Sequence, residues 1–319
     1  MKKSDEIRRK TWRMIAKNLI VLAALAVAAV IGVMSWFTKS TTAKASNLSI
    51  TTETPFCFDI AVVPPGSQAP SVTNDSLWSP SVDLNDAAYT FLDTSSYCEI
   101  TSDGINYFCK PWLTQQGYVV APDSSKEWDN ATANTDYLKF DLYFRSNSPT
   151  TMKLTSNTTV YPHENLTSGT NYKQDSVVGA VRMSVNDSSG ANKLLWIPAP
   201  HVYFDYDQSS VFLNKEPGNA ENTYVHTYVT RIADQENPGE FVNQRVTSSN
   251  TIANNQKNYK LGQDVAVVQI TDADKVNGTQ YYVNHITVNL WIEGEDAEAR
   301  LAMVDGQFDM RLYLAADNN

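Results

Sequence analysis

The chain has 319 residues, 42% of them hydrophobic, with 25 Lys and Arg against 35 Asp and Glu and a net charge of −10. The charge is unevenly laid down: residues 1–37 hold seven basic and two acidic residues, so residues 38–319 carry −15. An acidic body lacks the clustered Lys and Arg that displace counterions from a phosphate backbone, which excludes nucleic acid as its expected partner.

Residues 1–17 form a basic lead. From Asn18 to Phe37 the sequence NLIVLAALAVAAVIGVMSWF carries no charge. A helix of about twenty apolar residues rises roughly 30 Å, the thickness of a hydrocarbon core. Basic residues ahead of such a segment stay in the cytoplasm and send the rest across. The expectation is one N-terminal transmembrane or signal helix over 18–37, engaging the cytoplasmic membrane, with the body outside. The length of the run favours an uncut anchor; weak small-residue sites at Thr42–Ser46 leave cleavage and secretion open. Residues 38–50, TKSTTAKASNLSI, are small and polar and read as a stalk or an extended arm.

Residues 51–135 are rich in Pro and aromatics and show little periodicity, as expected of loop decoration or a small lobe. All three cysteines, Cys57, Cys98 and Cys109, lie beyond the apolar segment, where thiols can pair. Cys98 and Cys109 flank a Gly-containing stretch able to fold back as a hairpin, so they are the expected disulfide. Cys57 is then left single, or replaces one of them. Trp78, Trp112 and Trp128, with Tyr118, make a candidate platform on which a sugar ring would stack.

Residues 136–319 carry the clearest strands. In Tyr137–Phe144, Leu138, Phe140, Leu142 and Phe144 share one face and Lys139 and Asp141 the other, the period-two pattern of a half-buried strand. Val177–Val185, Tyr281–Ile292 and Phe308–Leu314 repeat it, with shorter candidates at Thr151–Leu154, Leu194–Ile197, Tyr224–Ile232 and Val265–Ile270. A helical turn is expected over Asp296–Val304. The predicted fold is all-β: a two-sheet jelly-roll or Greek-key sandwich with long loop decorations.

Motifs for chemistry are sparse. None of His163, His201, His226 and His285 sits in a metalloprotease motif, and no nucleophile elbow occurs. His201, Asp205 and Asp207 (HVYFDYD) alternate along one face and read better as a polar strand than as metal ligands. Asp272, Asp274 and Asn277 lack the order and the closing Glu of a calcium loop. Glu293, Glu295, Asp296 and Glu298 read as a solvated turn rather than a glycosidase pair. Seven glycosylation sequons exceed the number this composition gives by chance, about five, by too little to be informative. The chain is therefore expected not to be an enzyme and to need no metal or cofactor.

At Ser35–Ile50, SWFTKSTTAKASNLSI, the sequence resembles the export region of the TasA/camelysin family of Gram-positive exported proteins. Trp36, Phe37 and Thr38 match the aromatic pair and polar residue that end signals of that family. The resemblance implies a processing site at Trp36 and Phe37 for a dedicated signal peptidase, and a jelly-roll fold. It also implies matrix fibres in which the freed N-terminal segment enters the next subunit as a strand. Ile286–Leu314 is similar to uncharacterised exported proteins of Clostridia-like bacteria. Some camelysin members are called metalloproteases; with no matching zinc motif, that activity is not carried over. The expected function is a cell-envelope structural or adhesive protein, a biofilm-matrix or surface-fibre subunit binding copies of itself or other envelope proteins. The alternative is a membrane-tethered extracellular glycan-binding module.

Overall fold

The computed structural model describes residues 43–53, 58–92, 98–113, 119–120, 128–163, 176–198, 229–233, 241–245, 251–253, 259–294 and 306–317. Thr41–Asn319 is one compact unit. Among the described residues no helix is long and apolar enough to cross a membrane. The expected helix over 18–37 and the turn over Asp296–Val304 lie outside them.

The protein is mostly β. In chain order the strands are β1 Lys44–Thr52, β2 Phe58–Val63, β3 Ser81–Asp83, β4 Glu99–Ser102, β5 Phe108–Lys110, β6 Trp112–Leu113, β7 Val119–Val120, β8 Asp129–Asn130, β9 Leu138–Ser146 and β10 Thr150–Leu154. There follow β11 Thr159–Pro162, β12 Val181–Asp187, β13 Asn192–Ile197, β14 Val229–Ala233, β15 Phe241–Arg245, β16 Thr251–Ala253, β17 Val265–Ile270, β18 Tyr282–Glu293 and β19 Gln307–Asp317. Most strands predicted by alternation are present. Val177–Ala180 instead winds into a 3-10 turn before β12 begins, and residues 224–228 of the strand expected over Tyr224–Ile232 lie outside the described residues.

Two mixed sheets result. Sheet one runs β17–β10–β19–β1–β3, with β11 also paired to β19. Sheet two is centred on β18, flanked by β12–β13–β16 on one side and β9–β2 on the other, with β4–β5–β8 continuing from its C-terminal end. One apolar core joins Leu48, Ile50, Met152, Met310 and Leu312 of sheet one to Phe140, Phe144, Met183, Val288 and Leu290 of sheet two. Every one of these side chains is at most 1% exposed.

The organisation differs from expectation in two places. Residues 44–50, read as part of an arm, lie inside sheet one as β1. Within residues 51–135, the described strands β2, β3 and β4 are built into the two sheets, pairing with β9, β1 and β18.

The outer face of sheet two is also covered, so Asp141, Arg182, Ser184, Asn289 and Glu293 are buried where alternation predicts solvent. Two segments cover it. Val72 and Trp78 pack on Ala61 and Tyr143. Phe108 stacks on Tyr137 at 4.4 Å and meets Trp291 edge-on at 5.9 Å. Gly104 lets the β4–β5 turn lie flat on β12: its φ is +76°, and a Cβ there would sit 3.0 Å from that of Ser184. Its carbonyl accepts from Ser184 Oγ at 2.6 Å and Asn186 Nδ2 at 2.9 Å.

Candidate functional site: the slot holding the first strand

β1 is a strand because Ala45, Leu48 and Ile50 all turn inward, each 0% exposed. Ala45 and Leu48 are three residues apart, which a regular pleat would put on opposite faces. A bulge between Ala45 and Asn47 restores the phase. The slot has unequal walls. On one side β19 runs parallel to β1 from Lys44–Gln307 to Thr52–Leu314. On the other, β3 contributes three antiparallel pairs, Ser49–Asp83 to Thr51–Ser81. Leu48 N–H also donates to Asn85 Oδ1 at 2.6 Å.

Outside this seam lies a cross-strand row of polar groups. Asn47 of β1 stands beside Asp309 of β19, which stands beside Tyr161 of β11. Asn47 Nδ2 donates to both carboxylate oxygens of Asp309 at 3.0 Å. His163 Nδ1 lies 2.9 Å from Asp309 Oδ1 and completes the row. Asp309 is 6% exposed at its side chain, so its oxygens are satisfied by these partners more than by water. Burial pushes the Tyr161 phenol up, against the opposing pull of the Arg311 guanidinium, which lies 5.6 Å from the ring centroid. Beside the row, Ser46 Oγ donates to Gln307 Oε1 at 2.8 Å, an arrangement that does not aim it at His163 as a nucleophile.

Other sequence candidates are placed elsewhere. Trp78 is 6% exposed, its Nε1–H bonded to Ser71 O at 3.0 Å, and Trp128 is 7% exposed. Trp112 is half-buried on β6. Buried rings cannot offer a face to a sugar, so Trp78 and Trp128 present none. Asp274 accepts from Thr271 N–H and Oγ1 and from Asn284 Nδ2, capping a turn rather than opening toward a cation. Among the described residues no group of three or more His, Cys, Asp or Glu is arranged to hold a metal. Trp36, Phe37, Cys57, Tyr118, His201, Asp205, Asp207, His226, Glu295, Asp296 and Glu298 lie outside the described residues.

The expected Cys98–Cys109 bridge is not formed either. The β4–β5 register sets Cys109 opposite Thr101, and Cys98 precedes β4. Cys98 Sγ instead donates to Asp136 Oδ1 at 3.1 Å, while Lys110 Nζ holds the other oxygen of that carboxylate at 2.9 Å. Burial, then the Asp136 bond and charge, push the Cys98 thiol up to about 12. Only the thiolate is nucleophilic. Cys98 of the folded protein should therefore alkylate at pH 8 about a thousandfold more slowly than an ordinary cysteine. Peptide mapping by mass spectrometry reads this, and Asp136→Asn should raise the rate.

Comparison with protein-family models, curated proteins and solved structures finds no match to this chain. The functional reading rests on the residues themselves.

Proposed function

We propose that this protein is an exported cell-envelope structural or adhesive protein, a subunit of a biofilm matrix or surface fibre, whose copies join by β-strand addition. On this reading residues 18–37 carry the chain into the cytoplasmic membrane, and a signal peptidase acts near Trp36 and Phe37. Residues 38–54 are the exchanged segment, and the body is a jelly-roll-type sandwich. It works without catalysis, cofactor or nucleic acid, through contacts with its own copies or other envelope proteins.

The supporting observation is the construction of β1. Among the described residues it is the first strand after the apolar segment, it fills a slot walled by β19 and β3, and Leu48 and Ile50 project from it into the core. An extended segment whose backbone bonds give affinity and whose alternate side chains fill pockets is the usual chemistry of strand addition. The same contacts made in trans by a second copy would link subunits at little net cost, because each lost intrachain pair is replaced by an identical one. The burial of Trp78 and Trp128 leaves the glycan-binding alternative with less to stand on.

The test uses protein starting near Phe37, examined by electron microscopy and size-exclusion chromatography. Oligomers or fibres are expected, and an excess of a synthetic peptide of residues 43–53 should compete for the slot and stop their growth. Strictly monomeric protein at high concentration, or unimpaired assembly without 38–54, rejects the reading.

A further inference from the structure

The row across the β1 seam does something the core contacts do not. Leu48 and Ile50 are held by packing that any copy of the protein offers equally. Asn47 is exposed, takes no part in that packing, and sits at the bulge, where the β1–β19 ladder shifts register. Its amide is nevertheless bonded to both oxygens of a buried carboxylate, which His163 at the end of β11 also holds. Bonds to a charged acceptor are the stronger class, and an abandoned buried carboxylate is costly. If Asn47 leaves, Asp309 loses two of the bonds that satisfy it.

We infer that Asn47, Asp309 and His163 form a latch that sets how readily β1 leaves its own sheet. The inference deepens the strand-addition reading by naming the side chains that hold the donated strand at home. The carboxylate lies on β19, so the wall of the slot itself carries the catch. Any β1 arriving from a second copy would meet the same catch and be locked in the same register. The latch thus raises the barrier to exchange in both directions without choosing between the closed chain and the linked one.

Hydrogen–deuterium exchange on the full chain tests this, comparing Asn47→Ala and Asp309→Asn with Ser49→Ala, a control on the same face of β1. Asn47→Ala should speed exchange of the β1 amides at least tenfold while those of β18 stay protected, and Ser49→Ala should leave β1 unchanged. Asp309→Asn should follow Asn47→Ala in β1. Unchanged β1 exchange in Asn47→Ala overturns the latch, as does equal acceleration in β18 or an equal effect of Ser49→Ala. Mixing isotopically labelled and unlabelled copies under native mass spectrometry separates the two claims. Faster β1 opening without copy exchange keeps the latch and rejects strand addition.

Discussion

Replacing Ile50 with aspartate is expected to abolish the folded body or lower its melting temperature by well over 10 °C. Ile50 is 0% exposed and lies in the core shared by both sheets. Truncating such a residue costs about 2–5 kcal/mol, and placing a carboxylate there adds a desolvation penalty of several more. A domain with about 5–15 kcal/mol of total stability does not absorb that. Ile50→Val should cost only about 1 kcal/mol, and Ser49→Asp on the outer face still less. Thermal and urea unfolding followed by tryptophan fluorescence measure all three. A loose arm would tolerate every one of them, so a stable Ile50→Asp protein would show that β1 is not part of the sheet.

Arg145→Ala should be the most damaging change outside the central core, at about 2–4 kcal/mol. The side chain is 6% exposed and leaves β9 on the covered face of sheet two. One amino group bonds Val72 O and Asp75 Oδ1, and the other bonds Asp59 Oδ2, all at 2.7 Å. The guanidinium also lies 5.1 Å from the Trp78 ring and 4.7 Å from the Tyr281 ring. Arginine suits this position because its plane stacks while its edges donate; lysine would keep the charge and lose the fork. One side chain therefore pins the β2–β3 connection to the sheet beneath it. Limited proteolysis should cut Arg145→Ala between Pro64 and Ser79 at protease levels that leave the native chain intact, and Arg145→Lys should fall between the two.

Legibility in the sequence followed regularity. β9, β18 and β19 carry apolar residues at every second position over seven or more residues, and each lies where period-two counting put it. β1 was hidden because its bulge breaks the period and its side chains are small and polar. β3 and β4 are three and four residues long, too short for any periodicity to register. The covered face of sheet two was misread for a different reason: polar residues such as Arg145 and Asn289 look solvent-facing until a distant segment folds over them. The same limit applies to the site. Asn47 is 262 residues from Asp309, and His163 is 146 residues from it, so no local motif announces their meeting. The disulfide expectation failed on register, since residues flanking a turn need not be cross-strand partners.

The parallel pairing of β1 with β19 also sets a clock. A strand near the start of the chain must wait for one more than 250 residues later before its main neighbour exists. Contacts this distant in sequence close slowly, and domains are otherwise built from the N-terminus as synthesis proceeds. The β2–β9 and β12–β13 pairs can form while β1 is still without its wall. During that interval the segment is extended, apolar on one side and able to pair with any suitable edge. Such a protein is most open to its neighbours while it is being made, and closes on itself only when β19 arrives.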